Sequence, residues 1–275
     1  MTDSKNNGER DREVVSNSVQ TPVQTPVAEP RTGRVDTPIE GASGQEEDVT
    51  FAQRLRAETA QAHRFAESTN FVKGILKGVM DLASFGNMQA GMYLVYCALE
   101  EELDRHQDHP MVGPVYFPVL SRKAALEADL EYLYGADWRS QVRSTPARSE
   151  YVDRIHWLGA NDPTLLVAHS YTRYLGDLSG GQVISKIARR SLGLEGSNGL
   201  TFFDFDEIDN SREFKNEYRS RLSQLPLSEE RAQEVIEEAK QAFTFNQSLF
   251  EELEGSWIRT LANFLPLVSN RRKRA

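Results

Sequence analysis

Cysteine is nearly missing from this 275-residue sequence, in which Cys97 is the only one. A single cysteine cannot form a disulfide within one chain, which excludes a disulfide-stapled scaffold. Because disulfides are typical of secreted proteins, this composition favours an intracellular protein.

Aromatic residues are absent from the first 48 positions, which hold four of the eleven prolines and a V-Q-T-P tandem at 19–26. A segment of this composition cannot bury a core. It carries ten acidic and five basic residues, a charge of −5 out of −9 for the whole chain, so the remainder is close to neutral. We therefore predict a disordered acidic arm over 1–48, one helical domain over 49–264 and a basic tail over 265–275.

Long apolar runs are also missing, since no stretch approaches the roughly 18 consecutive apolar residues of a membrane helix. The best candidate, 261–268, contains Pro266 and precedes the basic residues 271–274. The arm has neither an apolar signal region nor the acid-poor composition of a transit peptide. We expect a soluble protein of the cytoplasm, with the plastid stroma as the alternative, and no membrane or nucleic-acid partner.

After position 48, apolar residues recur at spacings of three and four, the helical period. Thr50 and Gln53 form a capping box at the start of the first helix. Prolines 110, 114 and 118 force a non-helical crossover, and only 201–205 is rich in β-formers. We predict an all-α, single-domain bundle with further helices at 71–80, 92–103, 122–134, 151–158, 163–192, 211–222 and 228–264.

Three glycines stand inside the helical pattern of Y-T-R-Y-L-G-D-L-S-G-G at 171–181. Gly176, Gly180 and Gly181 each cost a helix about 1 kcal/mol relative to alanine, so something must offset them. A flat ligand against the backbone would need helix without side chains here, and a kink would aim Asp177 over its face. Close packing of another helix is the open alternative.

His63 lies on the first helix, two turns after Arg56 on the same face and about 10 Å from it. An imidazole and a cation so placed could hold the iron and a propionate of one porphyrin. His169 is a rival ligand that spacing does not exclude. It shares a helix with the glycines, however, and we interpret it as a core histidine hydrogen-bonded to a neighbour.

Other polar residues allow more than one interpretation. Lys215 and Arg219, four apart, suit either a second anion or a solvated basic stripe. Asn246 lies in an apolar face between Phe243 and Phe250, and a buried amide needs partners, such as a network around Asp177. The acidic residues 100–102 do not make a di-iron site, because no histidine has glutamate three residues before it.

The region from about 51 to 257 resembles the haem oxygenases. It shares the glycine motif at 171–181 and the preceding L-L-V-A-H-S, with A-L-E-E-E at 98–102, P-V-Y-F-P at 114–118, F-K-N-E-Y-R at 214–219 and F-N-Q-S-L-F-E-E-L-E at 245–254. Lacking a C-terminal membrane segment, it is similar to the cyanobacterial and plastid branch. The resemblance implies haem b, as substrate and prosthetic group, between the first helix and a glycine-kinked distal helix.

The resemblance also implies residue roles. His63 matches the iron ligand and Glu67 the acid that hydrogen-bonds it. Asp177 matches an aspartate that orders water near the iron, held by Arg173, Tyr96 and Asn246. Ala60 stands where many relatives have a lysine, so one propionate contact is missing. The remaining haem contacts that the resemblance implies are Arg56, Lys215 and Arg219 to the propionates, and Tyr171, Gly176, Gly180, Gly181, Phe243 and Phe250.

The implied reaction is oxidative cleavage of haem at the α-meso carbon. It uses O2 and electrons from reduced ferredoxin and gives biliverdin IXα, CO and ferrous iron, with a bilin reductase as a further partner downstream. Candidate docking residues for ferredoxin are Lys73, Lys77, Arg189, Arg190 and the basic C-terminus. The alternatives are a haem carrier or sensor, which would not need Asp177, and a helical relative of the thiaminase type with another ligand.

Overall fold

Nine α-helices make up most of the chain that the computed structural model describes, residues 49–269, with side chains over 49–254. No strand occurs within those residues, which confirms the all-α prediction. Short 3-10 turns connect several of the helices. The helices are α1 (Phe51–Glu67), α2 (Asn70–Leu76), α3 (Leu82–Arg105), α4 (Lys123–Tyr134), α5 (Pro146–Asn161), α6 (Leu166–Gly176), α7 (Gln182–Leu192), α8 (Ser211–Ser223) and α9 (Glu229–Ser269), with a π-turn (Asp177–Gly181) between α6 and α7.

Side-chain caps set the helix starts. The capping box of α1 is present as predicted, with the Thr50 N–H donating to Gln53 Oε1 at 2.9 Å and the Gln53 N–H to Thr50 Oγ1 at 3.4 Å. Asp81 accepts from the Ser84 N–H at 2.6 Å and so starts α3. Such caps satisfy backbone donors that the first helical turn leaves free.

Helix α9 is the element on which the site-forming helices rest, since both α1 and α6 pack along it. Helices α4 and α5 each pack against α3. Leu55, Phe85 and Tyr218 are fully buried in the shared apolar core. Each buried side chain of this size stabilises the fold by about 1.5–3 kcal/mol.

Several helix bounds differ from the predicted ones, and two of the differences have a clear physical reason. Helix α3 begins ten residues earlier than position 92, because small and polar residues such as Gly91 and Gln89 are buried in tight packing there and break the apolar period. The segment at 201–205 contains a 3-10 turn, Thr201–Phe203, and no strand. Its Thr201 and Phe202 N–H groups donate to the Asp129 carboxylate at 2.7 and 2.8 Å, so they need no neighbouring strand.

The predicted domain limits fall partly beyond what is described. The arm at 1–48 and the residues after 269 lie outside the described part of the chain. Helix α9 continues to Ser269, so the predicted boundary at 264 falls inside it. Over the described residues, no helix combines the length and the apolar character that crossing a bilayer requires.

Candidate active site

A slot of about 530 Å³ lies between α1 and the segment formed by α6 and the π-turn. We use "the slot" for this cavity throughout. It brings together eight of the residues predicted for a ligand site: Arg56, His63, Glu67, Tyr171, Gly176, Gly180, Arg219 and Phe243. These residues come from four different helices and the π-turn, so their meeting at one cavity is a property of the fold and not of local sequence.

The wall of the slot opposite α1 contains two glycines. A Cβ atom built on Gly176 or on Gly180 would meet nothing within 4 Å, so both positions face open space. Gly181 differs: its Cβ would lie 3.3 Å from Phe203 Cδ1, and the residue is buried. Close packing on Phe203 is therefore a second explanation for Gly181, and its place in the ligand site stays a prediction from the sequence.

The π-turn places Gly176 and Gly180 on the same side of the helix, the side that faces the slot. The backbone of Gly176, with φ −64° and ψ −51°, is ordinary right-handed helix, so the distal helix widens over Asp177–Gly181 without breaking. π-turns are rare in α-helices and are frequent at functional sites. The expected kink therefore takes the form of a widened turn whose slot side carries no side chain at Gly176 or Gly180.

His63 lies on α1 with its side chain 48% exposed along the slot. Its Nδ1 is 3.5 Å from Glu67 Oε2, and its ring meets that of Phe243 edge-on with 5.3 Å between centroids. A carboxylate at Nδ1 fixes the tautomer in which Nε2 carries a free lone pair. This arrangement leaves Nε2 available to a metal ion carried by a ligand in the slot.

Basic side chains surround the slot without acidic partners. Arg56, Arg64 and Arg219 line it, and none of them has an ion pair with another described residue. Lys215 lies beside the π-turn, with Nζ 3.3 Å from Ser179 Oγ and 3.5 Å from the Leu178 carbonyl. Burial and the neighbouring Arg219 lower the pKa of Lys215. Cations left without counter-ions favour an anionic ligand.

Four of the predicted residues form one hydrogen-bond network next to the slot. The Tyr96 hydroxyl donates to Asp177 Oδ2, and Arg173 Nε donates to the Tyr96 oxygen at 3.2 Å. Arg173 Nη1 also donates to Asn246 Oδ1 at 2.6 Å, and its Nη2 lies 3.7 Å from Asp177 Oδ1. The sequence suggests that Asn246 joins a network around Asp177, and in the structure Arg173 is the residue that connects the two.

Burial and the neighbouring charges have opposite effects on the pKa of Asp177. Burial raises the pKa of Asp177, while the Arg173 guanidinium, the Tyr96 hydrogen bond and the charge of Arg122 oppose that rise. Burial also raises the pKa of Tyr96 well above its ordinary value, so this hydroxyl stays protonated and keeps donating. Asp177 Oδ2 is thus occupied, whereas Oδ1 has no hydrogen bond from the described residues.

His169 is a core residue, as predicted. It is fully buried, with Nε2 2.9 Å from Glu238 Oε1 and Nδ1 3.5 Å from the Tyr151 hydroxyl. Glu238 is held by Arg154 as well. Burial alone would raise the pKa of Glu238, but the hydrogen bonds from His169 and Arg154 lower it to about 2. With both ring nitrogens engaged in the core, His169 does not face the slot.

Sequence reasoning missed some of the residues that line the slot, and a predicted residue lies outside the lining. Phe250 stacks on Phe71 with 6.1 Å between ring centroids and does not line the slot. Ser179 does line the slot, and its position between Gly176 and Gly180 in the sequence could have indicated this. The other slot residues that sequence reasoning did not assign are Ala52, Thr59, Arg64, Thr172 and Leu175, and Ala60 is present at the position without lysine.

A second cavity, of about 1140 Å³, is a shallow groove along α5 and α9. Five glutamates line it, with Arg154 as its only cation. An anionic ligand would be repelled there. Its greater volume therefore does not make it the better candidate.

The all-α bundle and the slot fit a class of protein: helical proteins whose site suits a flat, anionic, metal-bearing molecule between an imidazole and a wall with two glycines. Within that class, the family model described as "Heme oxygenase" matches residues 49–252. The chain belongs to the haem oxygenase family.

Known proteins agree with this assignment. The chain is 48% identical to "Heme oxygenase" of Pyropia yezoensis over 212 residues, which cover 77% of this chain and 89% of that one. It is 44% identical to "Heme oxygenase 1" of Synechocystis over 213 residues, covering 78% and 88%. The structure superimposes on heme oxygenase-1 from Synechocystis in complex with heme with a TM-score of 0.76 and 43% identity, covering 79% of this chain and 98% of that one.

Proposed function

We propose that this chain cleaves haem at the α-meso carbon to biliverdin IXα, CO and ferrous iron, using O2 and electrons from reduced ferredoxin. One observation carries the proposal: the slot has the His63 imidazole on α1, a glycine wall opposite it and the Asp177 network behind that wall. The similar Synechocystis protein forms a complex with heme. Haem is flat, carries two propionates and contains iron, which are the properties that the slot residues suit.

On the α1 side, His63 is the proposed iron ligand, oriented by Glu67. Arg56, Lys215 and Arg219 would hold the propionates by charge-assisted hydrogen bonds. Arg64 lies one turn after Ala60 and lines the slot. It can therefore supply the propionate contact that a lysine at position 60 makes in many relatives. Fixed propionates would set which meso carbon lies against the distal wall, and hence the isomer formed.

On the distal side, the absence of side chains at Gly176 and Gly180 leaves the porphyrin face close to backbone. Bound haem supplies the iron at which O2 reacts and is itself oxidised. Asp177 would order a water molecule through Oδ1, since Oδ2 accepts from Tyr96. Arg173 and Asn246 keep this carboxylate in place. Its raised pKa places the exchange of a proton at Asp177 nearer neutral pH.

The same network favours an enzyme over a carrier. A carrier or sensor needs an axial ligand and an apolar slot, which His63 and the glycine wall would supply. It does not need Asp177, Arg173, Tyr96 and Asn246 held in one buried network, which is costly to build. A bilin reductase as downstream partner, and the cytoplasm or plastid stroma as the compartment, remain predictions from the sequence.

The test is a product analysis of the full-length chain mixed with haem. Addition of reduced ferredoxin and O2 should convert the Soret band into biliverdin absorption with release of CO, and chromatography should show the IXα isomer alone. A haem complex that binds stoichiometrically but keeps its Soret band under these conditions would identify a carrier. A mixture of isomers would contradict the assigned propionate contacts.

A further inference from the structure

The buried guanidinium of Arg173 has three nitrogen atoms, and each of them donates to a different side chain. Nε donates to the Tyr96 oxygen at 3.2 Å, and Nη1 donates to Asn246 Oδ1 at 2.6 Å. Nη2 donates to the sulfur of Met92 at 3.2 Å. Met92 and Tyr96 lie one turn apart on α3, so one face of that helix holds the guanidinium at two points.

The Met92 thioether is the weakest of the three acceptors, and a stronger acceptor lies close to it. A methionine sulfur accepts hydrogen bonds weakly, whereas a carboxylate accepts charge-assisted ones from a guanidinium. Asp177 Oδ1 is 3.7 Å from Arg173 Nη2, which is an ion-pair distance but too long for a hydrogen bond. Nη2 therefore donates to the sulfur although a carboxylate oxygen is only slightly further away.

The position of Nη2 decides what Asp177 Oδ1 can bind. Oδ2 already accepts from Tyr96, and Oδ1 has no hydrogen bond from the described residues. If Nη2 moved onto Oδ1, protein donors would occupy both carboxylate oxygens, and the negative charge would be paired more closely. The contact with Met92 holds Nη2 away and leaves Oδ1 available to a water molecule.

We propose that Met92 is a positioning residue for the distal carboxylate: its sulfur keeps the Arg173 guanidinium from closing onto Asp177 Oδ1. Met92 does not line the slot, so it acts through Arg173. The inference rests on the proposed function, in which Oδ1 orders the water on the distal side of the haem.

Packing alone is the competing explanation, because methionine often fills gaps in a core. Met88 allows the two explanations to be separated. It lies one turn before Met92 on α3, is buried to the same degree, and lines the same small cavity beside Leu249 and Phe250. Its sulfur is not among the acceptors of Arg173. Met88 thus has the packing of a methionine at this place without the contact to the guanidinium.

The experiment compares Met92→Leu and Met88→Leu with the parent in the full-length chain. Leucine is close to methionine in volume, so both variants are expected to fold, and leucine has no atom that accepts a hydrogen bond. Crystal structures of the haem-free proteins give the distance from Arg173 Nη2 to Asp177 Oδ1. Haem titration gives Kd, and turnover with reduced ferredoxin and O2 gives the biliverdin yield. The ferric haem complex adds a spectroscopic readout, the midpoint of its absorption change on raising the pH.

Met92→Leu should bring Nη2 to about 2.7–2.9 Å from Oδ1, the length of a charge-assisted hydrogen bond. Its haem Kd should stay within about twofold of the parent value, because Met92 does not line the slot. The biliverdin yield should fall about fivefold or more. The pH midpoint should fall by about half a unit or more, since a carboxylate paired with a guanidinium is less able to keep a neighbouring water protonated.

Met88→Leu should match the parent in all four measurements. The other groups that act on Asp177, which are Tyr96 and Arg122, are the same in both variants.

An Nη2–Oδ1 distance in Met92→Leu that equals the parent distance would overturn the proposal. A shortened distance with parental yield and midpoint would also overturn it, as would an equal loss of yield in Met88→Leu. Absence of biliverdin from the parent would contradict the proposed function instead, while the haem-free crystals would still show whether Met92 holds the guanidinium away from Asp177.

Discussion

Alanine at Gly176 or Gly180 should stabilise the protein and weaken haem binding at the same time. A Cβ at either position meets nothing within 4 Å, and neither backbone lies in the left-handed region. Neither steric crowding nor backbone conformation therefore requires glycine at these two positions in the haem-free protein. If the slot binds a flat ligand, glycine at these two positions makes room for that ligand and makes the helix less stable.

The magnitudes follow from the helix and from the slot. Replacing a helical glycine with alanine gains about 1 kcal/mol, which raises Tm by about 2–4 °C in a domain of this size. A methyl group pushed into a closely packed ligand costs about 1–3 kcal/mol, or about 5- to 150-fold in Kd. Gly181→Ala is the matched control: its Cβ would press on Phe203, so no gain in stability and little change in haem affinity are expected.

Thermal unfolding of the haem-free variants and haem titration by absorbance provide the two measurements. The reasoning fails if Gly176→Ala and Gly180→Ala bind haem as the parent does. It also fails if they gain no more stability than Gly181→Ala does. Either result would mean that these glycines serve packing or backbone conformation.

Two further changes test other parts of the site, and a third tests the core ion pair of His169 and Glu238. His63→Ala should shift the Soret band and abolish turnover, with added imidazole restoring the band; an unshifted band would move the iron ligand elsewhere. Asp177→Ala should keep haem affinity within about twofold but lower the biliverdin yield at least about tenfold, and an unchanged yield would refute its role. Since the pKa of Glu238 is about 2 instead of 4.5, its carboxylate contributes about 3 kcal/mol above pH 4.5, which is lost as the pH falls towards 2. Glu238→Gln should therefore be less stable than the parent at pH 7 in urea unfolding, with the difference shrinking towards pH 2; a constant difference would contradict the ion pair.

The sequence could predict features that depend on neighbouring residues. Apolar spacing identified the helical class, and Thr50 with Gln53 marked the start of α1. The glycines at 176 and 180 were detected because they conflict with a helical period and therefore need a separate cause. The position of His63 relative to Arg56 follows from helix geometry alone, and both line the slot.

Features that depend on distant residues could not be predicted in this way. Helical spacing does not distinguish Gly181, which packs on Phe203, from the two glycines that face the slot. The partner of His169, Glu238, is 69 positions away on α9. Phe250 has the same local pattern as a ligand contact, yet it stacks on Phe71 of α2. In each case tertiary packing decides the role.

The most direct test of the central claim is a crystal structure of the haem complex of this chain. The account predicts one haem in the slot, with iron bonded to Nε2 of His63 and the opposite porphyrin face against the backbone of Gly176 and Gly180. Iron bonded to a different residue, or haem seated in the groove along α5 and α9, would contradict it.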